Sequence, residues 1–297
     1  MKGLSIIIVN WNTGPLLRRC LESLNTLPEK DLITQVVVVD NASSDDSIQQ
    51  AKVDTYAIPI EWKELEVNEG FAKGNNIGID WTLHTHGTDQ HIFLLNPDTE
   101  VQSGALLTLL NVFERHSDVG IVGPKLFEPG GILQPSVHSF PTVWTLIAVY
   151  LKLHSLFPNT VRGQGSINIE TVVDEVKGAA FLIRDEVMDT IGPLDEGYWI
   201  WFEEVDYCKR ALNAGWKTIY TPNAAVLHYG GVSFNQLVGL KRSLPFLVSG
   251  YHYAYKHLGI LATALLTLLF PVAVLLSLPA SLKHRMMQKK NIKKITT

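Results

Sequence analysis

Residues 92–98 read Ile-Phe-Leu-Leu-Asn-Pro-Asp, an apolar run that ends in a carboxylate. The apolar residues suit an interior strand of a parallel sheet, and Pro97 cannot continue the ladder because it has no N–H to donate. We therefore expect Asp98 just beyond the carboxyl end of a strand, where open α/β sheets bind ligands. An aspartate there, completed by phosphate oxygens, is a typical ligand of Mg²⁺ or Mn²⁺. Alternatively, Asp98 caps a helix that begins near Val101.

Two further apolar runs end at polar residues in the same way. Residues 5–9 are rich in β-branched side chains, and residues 35–40 form a second buried run that ends at Asp40. Each run leads into a segment with helical features. Repeated strand and helix units predict an α/β fold, a Rossmann-like and mostly parallel sheet flanked by helices. Asp40 could accept hydrogen bonds from a nucleobase or ribose, or it could cap the next helix.

Composition and charge exclude several classes of protein. The chain has 297 residues, of which 46% are hydrophobic and 18% charged, so it can bury a sizeable core. Its two cysteines are too few for a disulfide framework and wrongly spaced for a structural zinc site. Six of the 25 basic residues lie in residues 281–297, which leaves 19 against 29 acidic residues elsewhere. The acidic body argues against a nucleic-acid partner, whereas the basic tail suits a membrane surface with anionic lipids.

A glycine-rich segment, residues 68–78, reads NEGFAKGNNIG. Its glycines would let a ligand approach the backbone closely, and its asparagines supply amide donors and acceptors. The alternative is an ordinary loop that contains glycine. The candidate ligand contacts in this segment are Asn68, Gly70, Phe71, Gly74 and Asn75.

An aromatic run, residues 198–202, leads directly into an acidic helix start. Glu203, Glu204 and Asp206 lie on one helical turn beside aromatic side chains that include Trp201. A carboxylate that tryptophan partly desolvates has a raised pKa and can act as a general base near neutral pH. The alternative is an acidic first turn that the helix macrodipole favours.

Two single residues add to the candidate site. Gly178 lies in a predicted strand with small residues, where another molecule could approach closely. His228 closes an apolar strand beside two glycines. A lone histidine is more often structural, but a neutral imidazole here could be a second ligand of the cation at Asp98.

Taken together and in this order, these motifs resemble the rhamnosyltransferase-like branch of the family 2 glycosyltransferases. The matching segments are residues 10–12, 39–41, 68–75, 96–98, 203–206 and 228–231. The resemblance implies a GT-A fold and a nucleotide-diphosphate sugar donor. It also implies a glycan or lipid-linked acceptor, Mg²⁺ or Mn²⁺ as cofactor, and inversion at the anomeric carbon.

The resemblance assigns donor-binding roles residue by residue. Asp40 matches the aspartate that recognises the base, and residues 68–75 match the loop that contacts the donor. Asn10 and Asn12, in the first matching segment, are further expected substrate contacts. No Gln-X-X-Arg-Trp motif follows, so the transfer of one sugar per encounter is expected.

It assigns the cation and the base in the same way. Asp98 matches the metal aspartate of an Asp-X-Asp motif whose first acidic position is Asn96 here, also an expected substrate contact. Glu204 occupies the position of the general base. Glu203 or Asp206 would orient the acceptor or position the site.

The C-terminal segment, residues 241–297, is predicted to associate with the membrane through helices, after a catalytic domain at residues 1–240. Residues 258–280 are 23 residues without a charged side chain, long enough to span a bilayer, but Pro271 divides them. A cytosolic donor and the positive-inside rule both place body and tail in the cytoplasm. We therefore expect a broken helix, or two short interfacial helices, at the cytoplasmic face of the cell membrane. The alternative is a buried helix of a soluble protein.

Residues 126–175 are harder to interpret, because glycines and prolines interrupt any periodicity. We expect a flexible loop on the acceptor side, with an apolar helix over residues 143–153. Two rival functions stay open: a sugar-phosphate nucleotidyltransferase, and a catalytically silent, membrane-bound scaffold that binds nucleotide sugar. The resemblance implies an aspartate at the position of Glu204 and an acid at the position of Asn96, and these two departures favour the second rival. The possibility of a homodimer also stays open.

Overall fold

The computed structural model describes residues 2–153, 167–231, 236–237 and 240–295, and side chains as far as residue 278. Part of the expected acceptor-side loop, residues 154–166, and the side chains of the basic tail lie outside the described residues. The chain divides into two compact units. The first unit comprises Met1–Phe140, Gly163–Trp199 and Glu203–Gly230, and the second comprises Pro141–Arg162, Ile200–Phe202 and Gly231–Thr297.

The described residues form strands β1 to β12 and helices α1 to α9. The strands are β1 Gly3–Asn10, β2 Ile33–Asp40, β3 Ile60–Glu64, β4 Gln90–Leu95, β5 Thr99–Val101, β6 Val119–Glu128, β7 Ile132–Gln134, β8 Val137–His138, β9 Thr171–Val173, β10 Glu175–Val176, β11 Ala180–Ile183 and β12 Lys217–His228. The helices are α1 Leu16–Asn25, α2 Ser47–Lys52, α3 Phe71–His86, α4 Ala105–Arg115, α5 Val143–Tyr150, α6 Asp185–Ile191, α7 Glu203–Asn213, α8 Leu240–His257 and α9 Ile260–Ile295.

The main sheet lies in the first unit and has the strand order β3-β2-β1-β4-β11-β6-β12-β5. Strands β3, β2, β1 and β4 are parallel to one another. Strand β11 is antiparallel to both β4 and β6, while β12 is parallel to β6. The predicted α/β fold is confirmed, and the sheet is mixed beyond β4 because β11 follows β10 without a helical crossover.

Buried side chains alternate between the two faces of this sheet. Ile6 and Ile8 of β1 belong to one apolar cluster, whereas Ile7 and Val9 belong to the cluster on the other face. Because helices cover both faces, β1 can be apolar at every one of these positions. The run of β-branched residues in the sequence follows from this arrangement.

Two antiparallel pairings create the edge that carries the candidate site. In the pairing of β5 with β12, His228 lies opposite Thr99. In the pairing of β11 with β4, Ala180 lies opposite Leu95. Because residues 99–101 form a strand and α4 begins only at Ala105, the alternative that Asp98 caps a helix is wrong.

Two glycines of α3 face β1. A Cβ at Gly74 would lie 2.9 Å from Cγ1 of Val9, and a Cβ at Gly78 would lie 2.5 Å from Cγ2 of Ile7. Both distances are too short for a side chain, so the glycines let the helix approach the sheet. The sequence predicted that glycines in this segment let a ligand approach the backbone. At Gly74 and Gly78 it is strand β1 that approaches instead.

The second unit contains α5, α8 and α9. The Tyr150 hydroxyl donates to the carbonyl oxygen of Leu247 at 2.6 Å, which joins α5 to α8. The ring of Phe246 packs edge-on against Trp201 and Phe202, with centroids 5.5 and 5.3 Å apart. Trp201, a predicted substrate contact, therefore packs within the second unit.

Helix α9 runs without interruption from Ile260 to Ile295. The predicted break at Pro271, or a pair of short helices, is therefore wrong. A proline removes one hydrogen bond from a helix interior, and the packing of α9 against α5 and α8 retains the helix despite that loss. Within the described residues, Ile260–Leu278 is the one stretch long and apolar enough to cross a membrane, by length and composition alone.

Candidate active site

Asp98 and His228 lie together where β4 and β12 end. Because His228 is opposite Thr99, the residue that precedes Thr99 is within reach of the imidazole. Oδ1 of Asp98 lies 3.4 Å from Nε2 of His228, and the two side chains are only 8% and 4% exposed. The backbone N–H of Tyr229 donates to the carbonyl oxygen of Asp98 at 2.9 Å. The structure thus brings together the two residues that the sequence predicted as ligands of one cation.

Two further side chains orient the imidazole of His228. Its Nδ1 lies 2.6 Å from Oε1 of Gln134, and Nε2 of Gln134 donates to Oε1 of Glu128 at 3.5 Å. A carboxylate can only accept, so the amide oxygen of Gln134 faces His228 and Nδ1 of the imidazole donates to it. Nε2 is buried and has no hydrogen-bond partner among the described residues. A lone pair held in this way is typical of histidines that bind metal ions.

The ligand set at this edge is small. In the part of the chain that the structure describes, no group of three or more His, Cys, Asp and Glu side chains could hold a metal ion. Asp98 and His228 would supply two ligands, and phosphate or water oxygens would supply the others, as is usual for Mg²⁺. The buried Oδ1 of Asn96 also lacks a partner within the described residues. These unsatisfied acceptors fit a divalent cation.

Two carboxylates at the start of α7 have raised pKa values. Glu203 is 4% exposed, and burial together with the charge of Glu204 raises its pKa well above the usual value. Burial also raises the pKa of Glu204, although backbone N–H groups and the charges of His138 and Lys177 act against it. Oε2 of each side chain is buried without a partner in the described part of the protein. A carboxylate desolvated in this way is a stronger base than an exposed one.

Gly178 lies against the side chain of Glu204. A Cβ at this glycine would be 3.5 Å from Cβ of Glu204, so the close neighbour of Gly178 is Glu204 itself. Close by, Glu175 is 6% exposed and lies 3.3 Å from Nδ1 of His138. Burial raises the pKa of Glu175 to about 7, and the charge of Glu204 contributes. Glu204 therefore lies among other buried or partly buried ionisable groups, an environment that suits a general base.

Asp206 lies on a different side of α7 from Glu204. Residues two apart on a helix project in nearly opposite directions, and Asp206 is fully buried. Its Oδ2 accepts a hydrogen bond from Nε of Arg210 at 2.8 Å. Arg210 also donates to the carbonyl oxygens of Ile191 and Pro193. Of the roles that the sequence offered for Asp206, these contacts favour positioning the site.

Asn10 and Asp40 form a network at the ends of β1 and β2. Nδ2 of Asn10 donates to Oδ1 of Asp40 at 2.8 Å and to Oγ of Ser43 at 3.0 Å. Ser43 donates to both carboxylate oxygens of Asp40, from its hydroxyl at 2.6 Å and its N–H at 3.1 Å. Asn12, with φ of +51°, accepts from the N–H of Ser44 at 2.7 Å. These predicted donor contacts shape the loops around the proposed donor site.

Asn41 joins the end of β2 to the glycine-rich segment. Its Nδ2 donates to the carbonyl oxygen of Gly70 at 2.8 Å, and its Oδ1 accepts from the N–H of Glu69 at 2.7 Å. Oδ1 of Asn68 accepts from the N–H of Gly70 at 2.9 Å. Gly70 has φ of +85°, and a Cβ there would lie 2.4 Å from the carbonyl oxygen of Trp199. Only glycine fits this position.

Phe71 and Asn75 complete the first turn of α3. The N–H of Phe71 donates to the carbonyl oxygen of Trp199 at 2.7 Å. Asn75 is 1% exposed, and its Nδ2 donates to the carbonyl oxygen of Phe71 at 2.9 Å. The contacts of Asn75 are therefore with its own helix.

Sequence reasoning missed Lys177, Gln134 and Asn41. Lys177 lies near Asp98 and Glu204, whose charges oppose the lowering of its pKa by burial. Lys177 and Gln134 reach the site through strand pairings between distant parts of the chain, which no local pattern marks. Asn41 carries one usable signal, since it directly follows a strand that ends in a carboxylate.

Comparisons with known proteins show the family of this chain. Residues 5–182 match the model of Glycosyl transferase family 2. The N-acetylglucosaminyl-diphospho-decaprenol L-rhamnosyltransferase of Mycobacterium tuberculosis is 27% identical over 237 residues, 76% of this chain and 76% of that protein. Rhamnosyltransferase WbbL of Escherichia coli K12 is 27% identical over 231 residues, 75% of this chain and 82% of that protein.

A solved structure shows the same fold. GalNAc-T7, crystallised with UDP, GalNAc and Mn²⁺, matches with a TM-score of 0.58 at 15% sequence identity. The match covers 86% of this chain and 50% of that one, so this chain spans half the length of the solved protein. With the family model matched over more than half of its length, this chain belongs to glycosyl transferase family 2 and is a rhamnosyltransferase-like glycosyltransferase with a GT-A fold.

Proposed function

We propose that this protein transfers one sugar, with inversion, from a nucleotide-diphosphate sugar to a glycan or lipid-linked acceptor in cell-surface polysaccharide synthesis. One observation carries the proposal: Glu204, a desolvated carboxylate, and Asp98, the neighbour of His228, both lie near enough to Lys177 to act on it electrostatically. The pair suits a cation that binds a diphosphate, and the carboxylate suits a general base. Rhamnose is the proposed sugar, because the relatives from Mycobacterium tuberculosis and Escherichia coli described above carry the name rhamnosyltransferase.

Each side chain has a defined task in this reaction. Asp98 and His228 would hold Mg²⁺ or Mn²⁺, whose charge offsets that of the leaving diphosphate. Glu204 removes the proton of the acceptor hydroxyl while the hydroxyl oxygen bonds to the anomeric carbon. The bond from that carbon to the diphosphate oxygen breaks, and the nucleoside diphosphate leaves with the electron pair. Attack opposite the leaving group inverts the configuration. Glu203, whose own pKa is raised by burial and by the charge of Glu204, would orient the acceptor or position the site.

Turnover of a donor panel tests the proposal. The full-length protein is incubated with one donor, dTDP-rhamnose, UDP-N-acetylglucosamine, UDP-glucose or GDP-mannose, and with a polyprenyl-diphosphate-linked sugar as acceptor. Mass spectrometry measures the masses of the products. We expect one donor to yield a product larger by a single sugar, with release of nucleoside diphosphate. Donor binding without turnover would support the silent scaffold instead. Synthesis of a nucleotide sugar from sugar phosphate and nucleoside triphosphate would support the nucleotidyltransferase.

We also propose that the protein works at the cytoplasmic face of the cell membrane, with α9 on the bilayer surface. Leu261, Leu268 and Leu275 are 84%, 76% and 62% exposed, and their spacing places them on one face of α9. Leu266, by contrast, is fully buried. The six cations of residues 281–297 would meet anionic headgroups beside this apolar face.

Sedimentation with phospholipid vesicles tests the membrane proposal. We expect replacement of Leu261, Leu268 and Leu275 by Asn to weaken binding of the full-length protein to vesicles that contain anionic lipid. The matched control replaces Val53, Ile132 and Ile169, which are 80%, 63% and 72% exposed in the first unit, and should bind normally.

Topology provides the second arm of this test. In sealed membrane vesicles of either orientation, we expect a protease to reach the basic tail only from the cytoplasmic side. Cleavage from the opposite side alone would show that α9 spans the bilayer and would overturn the surface arrangement.

A further inference from the structure

Lys177 lies beside the end of β4 because of the register of β11. The pairing of Ala180 with Leu95 continues through a hydrogen bond from the N–H of Asn96 to the carbonyl oxygen of Ala179, at 2.9 Å. Extending this register by two residues pairs position 177 with position 98, and Asp98 acts on Lys177 electrostatically. The N–H of Lys177 donates to the carbonyl oxygen of Ser136 at 2.8 Å. This bond and the nearby pairing of β11 fix the backbone of Lys177.

The residue after Lys177 places it near the proposed base as well. Gly178 has no side chain, and its Cα lies against Glu204, as the distance of 3.5 Å from an added Cβ to Cβ of Glu204 shows. Lys177 is therefore located between the carboxylate of the cation pair and the carboxylate of the base.

The ammonium group of Lys177 is surrounded by charge but is not paired. It makes no hydrogen bond or ion pair with any described residue, although Glu204, Asp98 and Glu128 all act on it electrostatically. Burial opposes these carboxylates and lowers the pKa of Lys177. A half-buried ammonium without a direct partner is costly, and a bound oxyanion would remove that cost by accepting its hydrogen bonds.

We propose that Lys177 binds the terminal phosphate of the nucleoside diphosphate and stabilises the charge that this phosphate gains as it leaves the sugar. The inference rests on the proposed function and adds a residue to it. As the bond from the anomeric carbon to the phosphate oxygen breaks, the electron pair stays on that oxygen. Lys177 keeps its proton and donates a hydrogen bond to the phosphate, while the acceptor's proton goes to Glu204. Such a contact strengthens as negative charge grows, so it favours the transition state.

Calorimetric titration of the full-length protein with nucleotides tests the role of Lys177. UDP, GDP and dTDP are first compared in the presence of Mg²⁺, and the tightest is then measured beside its monophosphate. We expect Lys177→Met to weaken the diphosphate by about tenfold to a hundredfold, the range for a hydrogen bond to a charged group. The monophosphate, which lacks the contacted group, should change less than about twofold, and Lys177→Arg should restore most of the affinity.

The control removes a lysine elsewhere on the same protein. Lys217→Met deletes an exposed ion pair with Asp118 at the opposite end of β12 and should leave both nucleotides unaffected. Should Lys177→Met fail to fold, as judged by circular dichroism, Lys177→Gln serves in its place.

The outcomes separate this inference from the function on which it rests. Equal losses for diphosphate and monophosphate would show that Lys177 only supports the fold, and an unchanged diphosphate affinity would show that it does not touch the phosphate. Either result overturns the inference and leaves the proposed function standing. If the wild-type protein binds none of the nucleotides, the proposed function fails and the inference fails with it.

Discussion

Burial gives single side chains their chemistry in this protein. Glu204 packs beside Gly178, and desolvation raises its pKa. His228 presents an unpartnered Nε2 because Gln134 holds its Nδ1. Neither property follows from the residue type alone, since an exposed glutamate or histidine would lack it.

Replacement of the proposed base should separate binding from turnover. We expect Glu204→Gln to retain donor binding and to lower kcat by about a hundredfold to ten-thousandfold, the usual contribution of a general base. Glu114→Gln changes an exposed carboxylate of α4 in the same way and should leave kcat unchanged. Near-normal turnover of Glu204→Gln would exclude this residue as the base.

The pH profile should report the same carboxylate. Glu204 acts as a base only when ionised, and burial raises its pKa above the ordinary value of 4.5. Turnover should therefore fall as pH decreases through the raised pKa, on an acid limb that lies above pH 4.5. Initial rates across a pH series, with stability checked at each pH, measure the limb. A rate that stays constant down to about pH 4.5 would contradict the account.

Loss of the two proposed cation ligands, Asp98 and His228, should weaken donor binding to different extents. We expect Asp98→Ala to weaken Mg²⁺-dependent donor binding more than His228→Ala, because only the aspartate contributes a formal charge. Gln134→Met should weaken Mg²⁺-dependent donor binding about tenfold to a hundredfold, because it releases the imidazole of His228. Calorimetry with and without Mg²⁺ measures each effect. Full activity in the presence of a chelator would rule out a metal site here.

At the scale of elements, helices and strands meet closely where glycine permits it. Gly78 of α3 faces Ile7 of β1, and an added Cβ would lie 2.5 Å from Cγ2 of that residue. The helix therefore depends on two small residues, Gly74 and Gly78, for its distance from the sheet. Gly70 is the N-cap residue of the same helix, so the position of the helix also sets that of the predicted donor loop.

A double-mutant cycle tests this helix contact. We expect Gly78→Ala to lower the free energy of unfolding by about 1–3 kcal/mol, the usual cost of overpacking. Combined with Ile7→Ala, which removes the clashing group, the loss should be smaller than the sum of the single losses. Leu106→Ala, in the cluster on the other sheet face, should combine additively with Gly78→Ala. Urea titrations measure the free energy of unfolding of each variant. Additive losses in both cycles would show that Gly78 and Ile7 do not make this contact.

At the scale of the whole molecule, local patterns predicted most of the fold. The runs that became β1, β2 and β4 are apolar on both sides and end at polar residues, so their type and ends were readable. The antiparallel insertion of β11 was not readable, because strand pairing between distant segments leaves no periodic signal. For the same reason Asp98 and His228 were found by residue chemistry, whereas Lys177 was missed.

In the C-terminal region, by contrast, a local sequence pattern gave a wrong prediction. Pro271 predicted a break, but α9 continues through it and packs against α5 and α8 of the second unit. Tertiary contacts thus outweigh a local penalty of about 3 kcal/mol. The exposed leucines of α9 and the cations after them give this unit the composition of a membrane surface helix.

The stereochemistry of the first product tests the central claim most directly. Proton NMR follows the anomeric signal of the transferred sugar from the earliest turnovers of the full-length protein with its donor, Mg²⁺ and acceptor. We expect a product whose anomeric configuration is opposite to that of the donor, since the hydroxyl activated by Glu204 attacks opposite the leaving diphosphate. A product that retains the configuration of the donor would contradict it.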